Sequence, residues 1–96
     1  MRIAEVIGTV TLSRCHPDLV GARWIIGVPC SLKALKENSP GDGEALVIYD
    51  QLGAGNGDRI ATSEGVEAAA PFYPEKKAVD AYCACILDQV NVVSPS

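Results

Sequence analysis

The chain has 96 residues, 48% apolar and 21% charged, which is the balance of an ordinary globular domain and leaves room for one domain only. Twelve acidic against eight basic residues give a net charge of −4, which argues against nucleic acid or an anionic membrane as the main partner, since both need a concentrated basic face. A domain this small buries only about 60–70% of the surface of its unfolded chain, so association is a natural source of further burial.

The even positions of residues 2–13 run Arg2, Ala4, Val6, Gly8, Val10 and Leu12, while the odd ones include Glu5, Thr9, Thr11 and Ser13. This period of two predicts a strand with one buried face, and Gly8 in its middle predicts a bend or bulge. His16-Pro17-Asp18 reads as a turn, because the residue before a proline is driven out of the helical region. Residues 23–30 predict a second strand, apolar on both faces around Trp24 to Val28, with Pro29 at its end or on an edge. Residues 38–43 concentrate turn formers and give the clearest loop. A short apolar run at 45–50 predicts the third strand, the glycine-rich residues 51–58 follow, and residues 59–62 predict the fourth. Ser63 can cap a brief helix over 64–70, ended by Pro71. Residues 72–77 read as a proline-containing connection, and residues 82–93 supply the last strand. Five short strands, one short helix and glycine-rich turns describe a mainly β chain, a small barrel or sandwich, as a single domain over residues 1–96.

The densest motif is Gly53-Ala54-Gly55-Asn56-Gly57-Asp58. Its spacing does not fit a dinucleotide fingerprint, which places its third glycine where Asp58 stands and is followed by a helix rather than a strand. No Gly-Lys-Ser/Thr follows, so a P-loop is excluded as well. Two readings remain: a hairpin that needs positive φ, the simpler of the two, or a loop whose bare backbone comes close to other copies of the chain.

Cys83-Ala84-Cys85 puts two thiols on one face of a strand. A structural zinc site usually spaces its cysteines further apart and takes a second pair, which here leaves only Cys15, His16 and Cys30. Cysteines acting as small core hydrophobes are the simpler reading. Cys15-His16 does not make a thiolate and base, because adjacent side chains on extended chain point apart, and the chain has one histidine. The carboxylates are scattered and give acid–base catalysis no positive support. Glu75-Lys76-Lys77 reads as solvated loop. Met1-Arg2-Ile3-Ala4-Glu5 lacks the apolar run of a signal peptide and no stretch approaches the ~18 apolar residues of a membrane span. The expected location is therefore cytoplasmic, with reduced thiols.

The ordered set of motifs resembles the bacterial microcompartment vertex proteins, the ethanolamine-utilisation and carboxysome pentamers. The residues that carry the resemblance are 3–10 (Ile-Ala-Glu-Val-Ile-Gly-Thr-Val), 16–21 (His-Pro-Asp-Leu-Val-Gly), 50–58 (Asp-Gln-Leu-Gly-Ala-Gly-Asn-Gly-Asp) and Val79-Asp80-Ala81 leading into the strand that ends at Asp88. Together they span nearly the whole chain. Cys15, Trp24 and Pro29-Cys30 depart from the usual pattern.

The resemblance implies a five-stranded barrel similar to an OB-fold, assembled head-to-tail into a homopentameric ring. Such rings close the fivefold vertices of a polyhedral shell tiled otherwise by hexameric proteins. It further implies that Gly53, Ala54, Gly55, Asn56 and Gly57 form the loop at the fivefold axis, where crowding of five copies is a second reason for glycine. The expected function is structural, with no catalysis, cofactor or metal. The expected partners are further copies of the chain and hexameric shell proteins, with neither nucleic acid nor membrane. Two rivals stand beside it: an OB-like binding module for single-stranded nucleic acid or another ligand, which the acidity opposes, and a small thiol or metal protein built on the four cysteines.

Overall fold

The computed structural model describes residues 1–11, 23–72 and 80–92. Five strands carry the fold: β1 (Arg2–Val10), β2 (Arg23–Pro29), β3 (Leu46–Asp50), β4 (Arg59–Glu64) and β5 (Ala81–Ile86). They close into a barrel in the order β1-β2-β3-β5-β4, with β4 returning to β1. All neighbours are antiparallel except β3 and β5, which run parallel and meet at Tyr49 and Tyr82. This is the OB-like barrel that the resemblance implied.

Closure depends on the bend in β1. Val6 lies opposite Gly27 and Gly8 opposite Ile26, so Ile7 is an extra residue pushed outward and left half-exposed. The strand before the bulge pairs with β4, Arg2 to Glu5 against Thr62 to Arg59, while Ala4 to Val10 pairs with β2. One strand thereby serves both sides of the barrel, as bulges at barrel corners allow. Gly8 was the sequence signal for it. Pro29 stands at the end of β2, also as expected.

The barrel interior is filled by Ala4, Val6, Ile25, Ile48, Ala54, Ile60, Ala81 and Cys83. Trp24, Tyr49 and Tyr82 lie elsewhere. Tyr49 alternates with Ile48 and so faces the other side of β3, where it packs with Ala68, Trp24 and Tyr82. Trp24 meets Tyr49 edge-on at 5.2 Å, and Tyr49 stacks on Tyr82 at 6.0 Å. This cluster seats a 3-10 helix (Gly65–Phe72) against the outside of the barrel.

Three elements differ from the sequence reading. The chain has an α-helix, α1 (Leu32–Glu37), where none was predicted. Ser31 caps it, its Oγ accepting the Ala34 N–H at 3.1 Å, and Asn38 ends it in the left-handed region. The Asp42 carboxylate accepts both the Ser31 N–H and the Ser31 hydroxyl, tying the cap to the following loop. The helix expected over 64–70 is the 3-10 helix, which begins one residue later and contains Pro71. Ser63 does not cap it, because Ser63 and Glu64 stay in β4 paired with Tyr82 and Ala81, and Gly65 turns the chain at a φ of 66°. The last strand stops at Ile86 rather than running to residue 93. The turn at His16-Pro17-Asp18, Cys15, Leu12 and Ser13, and the connection at 73–77 lie outside the described residues.

Candidate functional site

The glycine-rich loop is organised by two carboxylates. Asp50, the last residue of β3, has a fully buried side chain and faces Arg23 across the β2–β3 ladder, forming an ion pair with it. Its Oδ1 accepts the Leu52 N–H and its Oδ2 the Ala54 N–H, each at 2.9 Å. A carboxylate at a strand end accepting amides two and four residues on fixes the turn locally. Asp58 closes the other end, its Oδ2 accepting the Gly55 N–H at 2.8 Å while its own N–H donates to the Gly55 carbonyl at 3.0 Å. The Gly57 N–H donates to the Val6 carbonyl and the Val6 N–H to the Asp58 carbonyl, which staples the loop to β1 at the bulge. The Tyr82 hydroxyl donates to Gln51 Oε1 at 2.7 Å.

Each residue of the loop is thereby accounted for, apart from one. Gly53 and Gly57 have φ of 81° and 88°, a region that side chains other than glycine enter only with strain. Ala54 is wholly buried and belongs to the barrel core, so its side chain offers no exposed surface. Asn56 is exposed at the tip. Gly55 has no positive φ, and a Cβ built there would meet only Asp58 Oδ2 at 3.8 Å, an ordinary contact. Among the described residues no contact requires glycine at position 55.

The thiols sit apart from the loop tip. Cys83 is buried in the barrel, where burial first and the neighbouring Asp50 carboxylate second push its thiol up to about 12. Cys85 is half-buried, and burial raises the Cys30 thiol as well. Among the described residues no three His, Cys, Asp or Glu side chains converge as a metal site would. The groove of about 390 Å3 beside Glu5, Asp58, Arg59 and Asp88 is open and polar, unlike the enclosed apolar pockets that hold small ligands. Sequence reading singled out the glycines and missed Arg23 and Asp50 as their support. The Asp50 signal was legible, an aspartate between a strand and a glycine run. Arg23 had none, because its pairing depends on the β2–β3 register.

A closed OB-like barrel with a thin core and a loop fixed in shape, whose tip presents backbone rather than reactive side chains, is the framework of a small binding or assembly module. The chain belongs to the family described as ethanolamine utilisation protein EutN/carboxysome, whose family model matches residues 1–88. It is 30% identical over 94 residues to the bacterial microcompartment shell vertex protein GrpN of Rhodospirillum rubrum, covering 98% of this chain and 100% of that one. It is 32% identical over 96 residues to the carboxysome shell vertex protein CcmL of Synechococcus elongatus, covering 100% of this chain and 92% of that one. The solved structure of the GrpN pentameric microcompartment shell protein from Rhodospirillum rubrum superposes with a TM-score of 0.81 at 29% identity, covering 97% of this chain and 100% of that one.

Proposed function

We propose that the chain is a structural shell protein whose homopentamer caps the fivefold vertices of a bacterial microcompartment in the cytoplasm. The observation that carries this reading is the likeness, over nearly the full length of both chains, to a pentameric shell protein. Its work is curvature and closure rather than catalysis: a head-to-tail interface whose rotation closes gives a ring, and the outer walls of that ring meet the edges of hexameric shell proteins. Residues 1–96 act as one domain, with the tip of the glycine-rich loop, Gly53, Gly55, Asn56 and Gly57, at the fivefold axis. Gly55 supports that placement, since crowding by symmetry-related copies supplies a reason for glycine that the described residues of the single chain do not.

Native mass spectrometry tests the reading. The expected particle has about 50 kDa, five times the 10.1 kDa chain; monomer or dimer alone at micromolar concentration overturns it. Mixed with hexameric shell proteins, the pentamer should give closed polyhedra where the hexamers alone give sheets, tubes or open shells. The rival binding-module reading finds no aromatic-lined basic groove among the described residues: Arg2 is paired with Glu64, Arg23 with Asp50, Arg59 donates to the Ser39 carbonyl, and the exposed Lys33 and Lys36 stand on α1.

A further inference from the structure

We propose that the Arg23–Asp50 pair is a positioning device for ring closure, holding the glycine-rich loop in its assembled shape before the chains meet. The proposal rests on the pentameric reading above and adds residues that lie outside the loop itself.

Asp50 accepts from the Arg23 guanidinium and the amides of Leu52 and Ala54, and the neutral Cys83 thiol hydrogen-bonds to it as well. Its side chain is fully buried, so it has no water to replace any of them. A buried carboxylate held only by neutral amides would be poorly compensated, and the guanidinium directly across the ladder supplies the opposing charge. Arg23 keeps 43% of its side chain exposed, so the pair joins a buried anchor to the surface through one residue. The loop that leaves this anchor has two glycines at positive φ, and a third, Gly55, that Asp58 holds through its N–H and carbonyl but whose missing side chain no described contact requires. Such a sequence is flexible by composition, and the pair limits that freedom at its first turn. Ordering a segment before association removes that cost from the association step, and in a ring the same cost recurs in every copy.

Asp50 also reaches the core through Ala54. The Ala54 N–H donates to Asp50 Oδ2 while the Ala54 methyl sits in the barrel with Ile48 and Ile60, between an exposed Gly53 and a half-buried Gly55.

The test compares the wild-type chain with D50N, R23Q and R2Q. D50N keeps one oxygen acceptor but places an amide donor against the remaining donors. R23Q removes the charge opposite a buried carboxylate. R2Q breaks the exposed Arg2–Glu64 pair, 2.6 Å in the wild type, and serves as the control. Native mass spectrometry across a dilution series reads the ring, hydrogen exchange reads the Leu52 and Ala54 amides, and circular dichroism reads the barrel. The expected result is a pentamer in the wild type and R2Q. D50N and R23Q should dissociate at concentrations about tenfold higher or more, with fast exchange at Leu52 and Ala54 but protected amides in β1 and β4.

Unchanged pentamers of D50N and R23Q alongside a pentameric wild type overturn the positioning role while leaving the ring intact. Loss of the folded barrel in both variants also overturns it, since the pair would then serve global stability. A wild-type chain that stays monomeric overturns the ring reading itself and this proposal with it.

Discussion

Replacing Gly55 by alanine separates the demands of the single chain from those of the ring. The backbone at Gly55 lies outside the left-handed region, and the new methyl would meet nothing nearer than Asp58 Oδ2 at 3.8 Å. For the isolated chain, then, the substitution restricts the unfolded state without straining the folded one, a gain of about 0.4–1 kcal/mol. In a domain of this length each kcal/mol moves the melting midpoint by about 4–8 °C, so dilute monomeric G55A should melt a few degrees above the wild type. At the fivefold axis the same methyl is added five times to a crowded centre, and the pentamer should dissociate at higher concentration. G53A and G57A behave differently: each puts a Cβ at a φ above 80° with no atom within 4 Å, and costs about 1–2 kcal/mol in monomer and ring alike. Thermal melts at two protein concentrations, paired with native mass spectra, distinguish the patterns. A G55A pentamer as robust as the wild type refutes axial crowding; the hairpin alternative is already excluded, because the loop joins β3 to β4 and β5 lies between those strands in the barrel.

Cys83 should resist iodoacetamide at pH 8 while the chain is folded and react once it is unfolded, because its thiol is pushed up to about 12; labelling faster than at Cys85 by peptide mapping would contradict the buried placement. Gly41 carries no positive φ, yet a Cβ there would stand 2.4 Å from the Val28 carbonyl oxygen and 2.8 Å from Val28 Cγ1, so G41A should cost about 1–3 kcal/mol, read as a lowered thermal midpoint. Hydrogen bonds from the Ser31 side chain and backbone hold the Asp42 carboxyl below its ordinary range. A lowered carboxylate contributes stability above its unfolded value and loses it as pH falls through the folded one. The melting midpoints of wild type and D42N should therefore differ at neutral pH and converge in acid, whereas a gap that widens in acid would reverse the assignment. A ring of five chains at −4 each carries −20, so added salt, by screening that repulsion, should strengthen the pentamer. Dissociation on raising salt would show an interface held by ion pairs instead of apolar burial.

Strands were legible wherever burial alternates with sequence. Ala4 and Val6 turn inward as their even positions foretold, and Gly8 marks the bulge that lets β1 turn between neighbours. Helix α1 was missed because residues 32–37 form fewer than two turns, too short for an apolar period to stand out from chance; Ala34 is its one buried side chain. What holds it is Asp42, eleven residues from the Ser31 cap, a contact that only the fold creates. The reverse error at 64–70 has the same origin. Ser63 has the chemistry of a cap, but pairing with β5 keeps it extended, and cross-strand bonds outweigh the local preference. In the glycine loop the left-handed positions could be suspected from composition, while the burial of Ala54 and the role of Arg23 follow from a register that no local pattern encodes.

The composition of the barrel interior connects the small size of the chain to association. Five strands close tightly because their inward rows hold Ala4, Ala81 and Gly27, with Ala54 added from the loop, and a Cβ at Gly27 would already lie 2.5 Å from Ile48 Cδ1. The largest fully buried side chains are three isoleucines, one valine, one threonine and one cysteine. A core so narrow has no place for the remaining branched residues, and Ile7, Val47, Leu52 and Ile86 are left about half-exposed on the outside. Enlarging the interior to take them in would require longer strands or more of them. A neighbouring copy needs neither, and each such side chain covered by a partner contributes about 1 kcal/mol. Narrow closure of the barrel and an outward apolar surface are thus two results of the same choice of small interior residues, and together they favour a chain that completes its burial by association.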